Sequence, residues 1–419
     1  MANPSTQTGG RTLSQASAKT RARPRIALAL AGGGPFGAVY EIGALIALQE
    51  SLDGLDLNDL ETYVGVSAGS FLAAALANDI PPQEIYRLFI EGEEGRGALT
   101  PQLFMRPAFG EYWRRARLLP ALVARTTWRF LSRRRSGEAL EAFEDLGRAM
   151  PTGLFDNEAI HRYLATVFGA VGRSNDFRKL RRRLYLVATD LDTGASVSFG
   201  RPGHDHVPIS RAVQASAALP GLFPPVEIDG RHYVDGALRK TLHASEALDD
   251  GARLVLCVNP IVPFDARRAA EQGTLARPSL VEGGLPVVLS QTFRAVIHSR
   301  MATGLSRYRS RYRGADVVLF QPAAEDSTIF FTNVFGYARR RQVCEHAYQR
   351  TRQDLLQRRR ELEPILARHG IVIRHELLDD PHRRLEPGRL RPSRAGLAGA
   401  SEELGRALRD LRRAVCRPV

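Results

Sequence analysis

The sequence predicts an α/β fold, three-layer α/β/α, with a mainly parallel central sheet. Three observations carry that expectation. The apolar run Arg25–Ala31 ends in Gly32-Gly33-Gly34 and is followed by helical apolar spacing from Ala38 to Leu48. A second run, Glu61–Val66, ends at Ser67-Ala-Gly-Ser70 and continues as a helix to Ala77. Strand–turn–helix units repeated in this way build parallel strands joined by helical crossovers. The third observation is a set of later short apolar runs, Leu184–Thr189, Arg253–Val258 and Ala315–Phe320. They read as strands buried on both faces.

The remaining elements follow in order. Residues 1–24 are rich in Ser, Thr, Gly and Ala without apolar periodicity, and are expected to form a disordered basic tail. A single α/β domain is expected over 25–370, interrupted at about 92–150 by an insertion rich in arginine and aromatics. Ile209–Ala218 reads as a helix ended by Pro220. Val226–Val234 reads as a hairpin turning at Asp229-Gly230, and it delivers Asp235-Gly236-Ala237. Helical patterns cover about 285–307 and 337–368, and residues 371–419 form an Arg/Pro-rich tail with a short amphipathic stretch, Glu402–Val415.

Composition narrows the function classes. The 419 residues carry 59 Lys+Arg against 45 Asp+Glu, a formal charge of +14, and only Lys19, Lys179 and Lys240 are lysines. Part of that skew is codon usage, and the rest suits attraction to an anionic surface. Cys257, Cys344 and Cys416 are odd in number and far apart, which argues for reduced thiols and against a metal site. No run of 18 apolar residues is present, so no spanning helix is expected. Arg21, Arg23 and Arg25 before Ile26–Ala31 imitate a signal peptide, but cleavage after Ala31 would remove the first strand. A cytoplasmic protein with peripheral contact at an anionic membrane is the resulting expectation. Nine arginines, Trp113, Trp128, Phe109 and Phe130 between residues 106 and 135 mark the segment expected to make that contact, or to act as a lid. No nucleic-acid-binding motif frames it.

Two glycine motifs compete for the chemistry. Gly32-x-Gly34-x-x-Gly37, after a strand and before a helix, matches the dinucleotide fingerprint and would make the chain a nucleotide-binding oxidoreductase. That reading wants an acid at the end of the second strand to hold the ribose. The second strand instead ends at a serine, in Gly65-Val-Ser67-Ala-Gly69. A G-x-S-x-G turn presents a serine hydroxyl at the top of a sheet, with a helix N-terminus aimed at it. Ten histidines are available as bases, but none sits in a glycine-framed loop at a strand end. Asp235 does end an apolar strand, and a carboxylate within hydrogen-bond reach can take a serine proton.

Gly32–Gly37 (Gly-Gly-Gly-Pro-Phe-Gly), Gly65–Gly69 and Asp235-Gly236-Ala237 together resemble the patatin-like phospholipase family. Ala188-Thr-Asp-Leu-Asp-Thr-Gly194 and Ala215-Ser-Ala-Ala-Leu-Pro220 resemble its intermediate blocks, so the likeness spans about 25–260. The resemblance implies a lipid acyl hydrolase with Ser67 as nucleophile, Asp235 as its dyad partner, and the Gly32, Gly33 and Gly34 turn as the oxyanion hole. Gly65 and Gly69 would shape the nucleophile elbow, with Gly37 and Gly236 as supporting motif positions. It implies no metal, no cofactor, and an acyl-ester lipid substrate. The chain departs from the family at Phe36, where an Arg or Lys is usual; a non-catalytic lipid-binding relative is the alternative this leaves. Pro35 has no N–H and is excluded as an oxyanion donor.

Overall fold

The computed structural model describes residues 25–92, 106–117, 150–275, 279–331 and 339–386. Its centre is an eight-stranded sheet in the order β6-β7-β4-β3-β1-β8-β9, with β5 also paired to β4. The strands are β1 (Ile26–Leu30), β3 (Thr62–Val66), β4 (Arg183–Asp190), β5 (Ser196–Phe199), β6 (Val226–Ile228), β7 (Arg231–Asp235), β8 (Leu254–Val258) and β9 (Asp316–Phe320). The five strands β4-β3-β1-β8-β9 run parallel, β5 and β7 pair antiparallel with β4, and β6 pairs antiparallel with β7 at the edge. Two further strands, β2 (Leu52–Asp53) and β10 (Val372–Ile373), form a separate antiparallel pair.

Successive side chains of β1 point to opposite faces, and the sequence loads both. Leu28 and Leu30 face a core shared with α1 (Gly34–Ser51) and α2 (Ala68–Ala77). Ala27, Ala29 and Ala31 face a smaller core that includes Leu242, Ala247, Leu248, Met301 and Tyr308. Apolar residues on every position of a strand are what two covering layers require, and the three-layer expectation holds. The first layer also includes α3 (Glu158–Phe168) and α4 (Ile209–Ser216), and the second includes α5 (Gly284–Arg311). α1 is buried nearly all round because α6 (Arg340–Gln357) packs on its outer side; a Cβ on Gly43 would lie 2.2 Å from the Cys344 carbonyl oxygen.

The predicted strands match to within about a residue. Three other expectations need correction. α1 begins at Gly34 rather than Ala38, because Pro35, with its fixed φ and missing N–H, suits a first helical turn. The long pattern at 337–368 is two helices broken at Arg358, the second spanning Arg359–Ala367. The chain also stays packed past the expected boundary at 370: β10 pairs with β2, and the Arg383 guanidinium meets the buried Glu50 carboxylate at 2.9 Å. The tail at 1–24, most of the 92–150 insertion and the stretch Glu402–Val415 lie outside the described residues.

Candidate active site

The site is assembled by strand register. Val66, the last residue of β3, pairs with Val187 of β4, and Asp235, the last residue of β7, pairs with the next β4 residue, Ala188. β5 occupies the other edge of β4, so β7 enters on the edge where β3 has just ended. Ser67 and Asp235, 168 residues apart in sequence, are thereby brought side by side. The Ser67 hydroxyl donates to Asp235 Oδ2 at 2.6 Å. Asp235 Oδ1 accepts the Ala237 backbone N–H at 2.8 Å, which fixes the carboxylate plane.

Ser67 occupies the left-handed region at φ 52°, ψ −123°, a conformation a side-chain-bearing residue rarely adopts. The flanking glycines explain how the turn closes. A Cβ on Gly65 would lie 2.5 Å from Ser70 Cα, and one on Gly69 would lie 2.5 Å from the Ala31 carbonyl oxygen. The Ser67 N–H donates to Ser216 Oγ at 2.9 Å, and the Ser216 hydroxyl donates in turn to the Val187 carbonyl at 2.6 Å. Ser216 ties the elbow to β4. It stands in the Ala215–Pro220 block, which was the available signal for it, although its role was not legible there.

Every predicted site residue converges on this point. Gly32 crosses directly over Ser67, where a Cβ would sit 2.9 Å from the serine Cβ. Gly33, Gly34 and Pro35 line a cavity with Ser67 and Asp235. Among the described residues, the N–H groups of Gly32 and Gly33 donate to no backbone carbonyl, and that of Gly34 opens a helix. A Cβ on Gly37 would press on Pro260 at 3.1 Å, and one on Gly236 would lie 2.2 Å from the Val187 carbonyl oxygen. Phe36 is half-buried against the main core and does not line the cavity.

The cavity measures about 380 Å³ and is walled mainly by Phe71, Phe89, Phe155, Ile160, Leu164 and Phe223. Among the described residues, no histidine lines it. Burial of Asp235 away from water pushes its carboxyl up to about 6, against the lowering effect of its bonds to Ser67 and Ala237. An acid so tuned can accept a hydroxyl proton near neutral pH. Its neighbour His243 is driven down to about 3 by burial, so it stays neutral.

The model of the family described as "Patatin-like phospholipase" matches residues 28–248, over half of the chain. The chain belongs to the patatin-like phospholipase family. Among relatives, an uncharacterized NTE family protein of Mycobacterium tuberculosis is 38% identical over 73 residues. A counterpart from Mycobacterium bovis gives the same figures. The match covers 17% of this chain and 19% of each relative, so the chain spans only about a fifth of the length of the curated relatives it matches. Two solved structures resemble it. VipD from Legionella pneumophila is 18% identical with a TM-score of 0.35, covering 80% of this chain and 67% of VipD. The type III effector protein ExoU is 16% identical with a TM-score of 0.33, covering 80% of this chain and 53% of that one. Family membership displaces the oxidoreductase alternative. The patatin-like fingerprint places Gly32 against a serine where a dinucleotide fold would leave room for a pyrophosphate.

Proposed function

We propose that the protein is a serine lipid acyl hydrolase of phospholipase A type, cleaving acyl esters of phospholipids or related lipids through a Ser67–Asp235 dyad. The observation that carries this reading is the 2.6 Å hydrogen bond from the Ser67 hydroxyl to the buried Asp235 carboxylate, at the wall of an apolar cavity. Family membership supports lipid esters as the substrate class. The acyl chain occupies the phenylalanine- and leucine-lined cavity, with its ester carbonyl at Ser67.

Asp235 takes the Ser67 proton as Oγ attacks the carbonyl carbon. The oxygen of the tetrahedral intermediate is held by N–H groups of Gly32, Gly33 and Gly34, together with the positive end of α2. Collapse of the intermediate expels the alcohol, which receives the proton from Asp235. A water molecule then gives its proton to Asp235 and attacks the acyl-enzyme, and Asp235 passes that proton to Ser67 Oγ as the fatty acid leaves. No metal or cofactor enters these steps. The enzyme works as a peripheral protein at a lipid surface on the cytoplasmic side.

The test is labelling by a fluorophosphonate probe and turnover of p-nitrophenyl esters by wild type, Ser67→Ala and Asp235→Asn. Loss of both signals in both variants is expected. Full activity in either variant would refute the dyad, and an unreactive wild type would favour a lipid-binding protein without catalysis.

A further inference from the structure

Among the described residues, the largest run of exposed apolar side chains stands beside the cavity, on α5. Leu285, Leu289, Phe293 and Val296 are between 47 and 69% exposed. Their spacing of four, four and three residues puts them on one face of the helix. The same face continues, at intervals of four, seven and four, with Arg300, Arg307 and Arg311, all exposed. α5 contains no Asp or Glu in 28 residues. Glu282 stands just before it in sequence, Asp249 lies 3.5 Å from Arg311, and Asp326 shares a small pocket with Arg294 on a different face of the helix.

The stripe is continuous with the cavity. Phe293 belongs to both, and Ser290, Arg294 and Ile297 on the adjoining face line the cavity wall. Phe155, also in the cavity lining, is bridged to Pro107, and the helix that follows Pro107 exposes Phe109 and Trp113 at 71 and 64%. Exposed apolar side chains in contiguous patches mark an interaction surface. An apolar half followed by a cationic half on one helix face matches the boundary of an anionic bilayer, where acyl chains lie below phosphates.

We propose that this face of α5 seats the protein on an anionic phospholipid surface, with Leu285, Leu289, Phe293 and Val296 in the acyl boundary and Arg300 and Arg307 on the phosphates. The cavity mouth then opens onto the bilayer, and an acyl chain reaches Ser67 without crossing water. The assignment rests on reading the cavity as the acyl site, but its test does not depend on turnover. Full-length Ser67→Ala protein is sedimented with sucrose-loaded vesicles of phosphatidylglycerol and phosphatidylcholine, and with vesicles of phosphatidylcholine alone. Binding is expected to the anionic vesicles and to weaken as salt is raised. Leu285→Glu with Leu289→Glu, in the same background, should lower partitioning at least about tenfold. Arg300→Glu with Arg307→Glu should lower binding to anionic vesicles by a similar factor, and this second pair keeps the test decisive if the first does not fold. Unchanged partitioning in a folded pair would overturn the assignment, as would failure of the parent to bind. So would a dimer that the leucine pair splits while vesicle binding persists, since the face would then serve a second copy. Loss of ester turnover in other variants leaves all these readings intact.

Discussion

The two walls of the cavity obey different rules. On one side stand Ser67, Asp235 and the glycine turn, where backbone passes so close to backbone that hardly any side chain fits. A Cβ would meet another atom within 3 Å at Gly32, Gly33, Gly65, Gly69 and Gly236. Elsewhere in the lining α5 contributes Ser290, Phe293, Arg294 and Ile297, which fill space with side chains rather than excluding them. The first wall is specified by exclusion and tolerates almost no substitution. The second is specified by apolar volume and can be rebuilt from many residues. The difference predicts that substitutions on the first wall cost rate or fold, while those on the second alter which lipid is accepted.

The sharpest way to break this comparison is at Ser67. Ser67→Ala should lower p-nitrophenyl ester turnover by at least about 10⁴-fold, on the scale of removing a catalytic serine, with little change in thermal unfolding because the deleted atom makes one hydrogen bond. Gly32→Ala comes next. Its Cβ would displace Ser67 by crowding at 2.9 Å, and a loss of about 10²–10³ in kcat is expected, as when an oxyanion donor is misplaced. A Gly32→Ala variant with normal kcat would show that the turn is not poised over the nucleophile.

Asp235 separates rate from stability. Its carboxyl lies at about 6 in the fold against 3.8 unperturbed, because burial disfavours the charged form. Between those values the folded chain binds more protons than the unfolded one, so stability falls as pH rises through the window and the loss is complete above it. Asp235→Asn keeps the shape without the charge: its Oδ1 still accepts from Ala237, and its amide N–H donates to Ser67 Oγ in place of the bond that Asp235 accepts. It should abolish turnover yet raise the unfolding free energy at pH 7 by on the order of 3 kcal/mol. That gain should vanish towards pH 4, as urea denaturation at several pH values would reveal. In the wild type, kcat/KM should climb through pH about 6 as the base is deprotonated; a profile flat across that range would assign the base elsewhere.

The smallest expected effect tests the apolar wall. Phe223→Ala should raise KM for long-chain p-nitrophenyl esters by about tenfold, from lost apolar contact. Short-chain esters should be turned over as before. Equal losses on both substrates would mean that Phe223 positions the dyad, and the contrast between the walls would fail.

How much of this was legible in the sequence follows the same division. Positions where a Cβ is excluded must be glycine, so the turns at 32–34 and 65–69 and the Asp235-Gly236 pair stand out in a bare chain. The strands stood out because burial on both faces demands uninterrupted apolar runs. The start of α1 did not: three glycines read as a break, although Gly34 and Pro35 already belong to the helix. Nor did the packing of Arg374 on the Glu50 carbonyl and of Arg383 on the buried Glu50 carboxylate, because an arginine with a partner looks like any other in an arginine-rich tail. The cavity wall on α5 was invisible as well, since its apolar residues follow ordinary helical spacing.

By itself, then, the sequence determined the parallel α/β layering, the serine elbow and the aspartate that ends β7, because backbone sterics and two-sided burial each leave residue patterns that few alternatives satisfy. Only the tertiary structure decided that Ser67 and Asp235 meet, since that depends on β3 and β7 taking consecutive positions along β4. It alone assigned Ser216 to the elbow, raised the Asp235 carboxyl by closing water out, and laid the bare apolar face of α5 beside the cavity. These are consequences of what lies next to what across long stretches of chain, and local spacing carries no record of them.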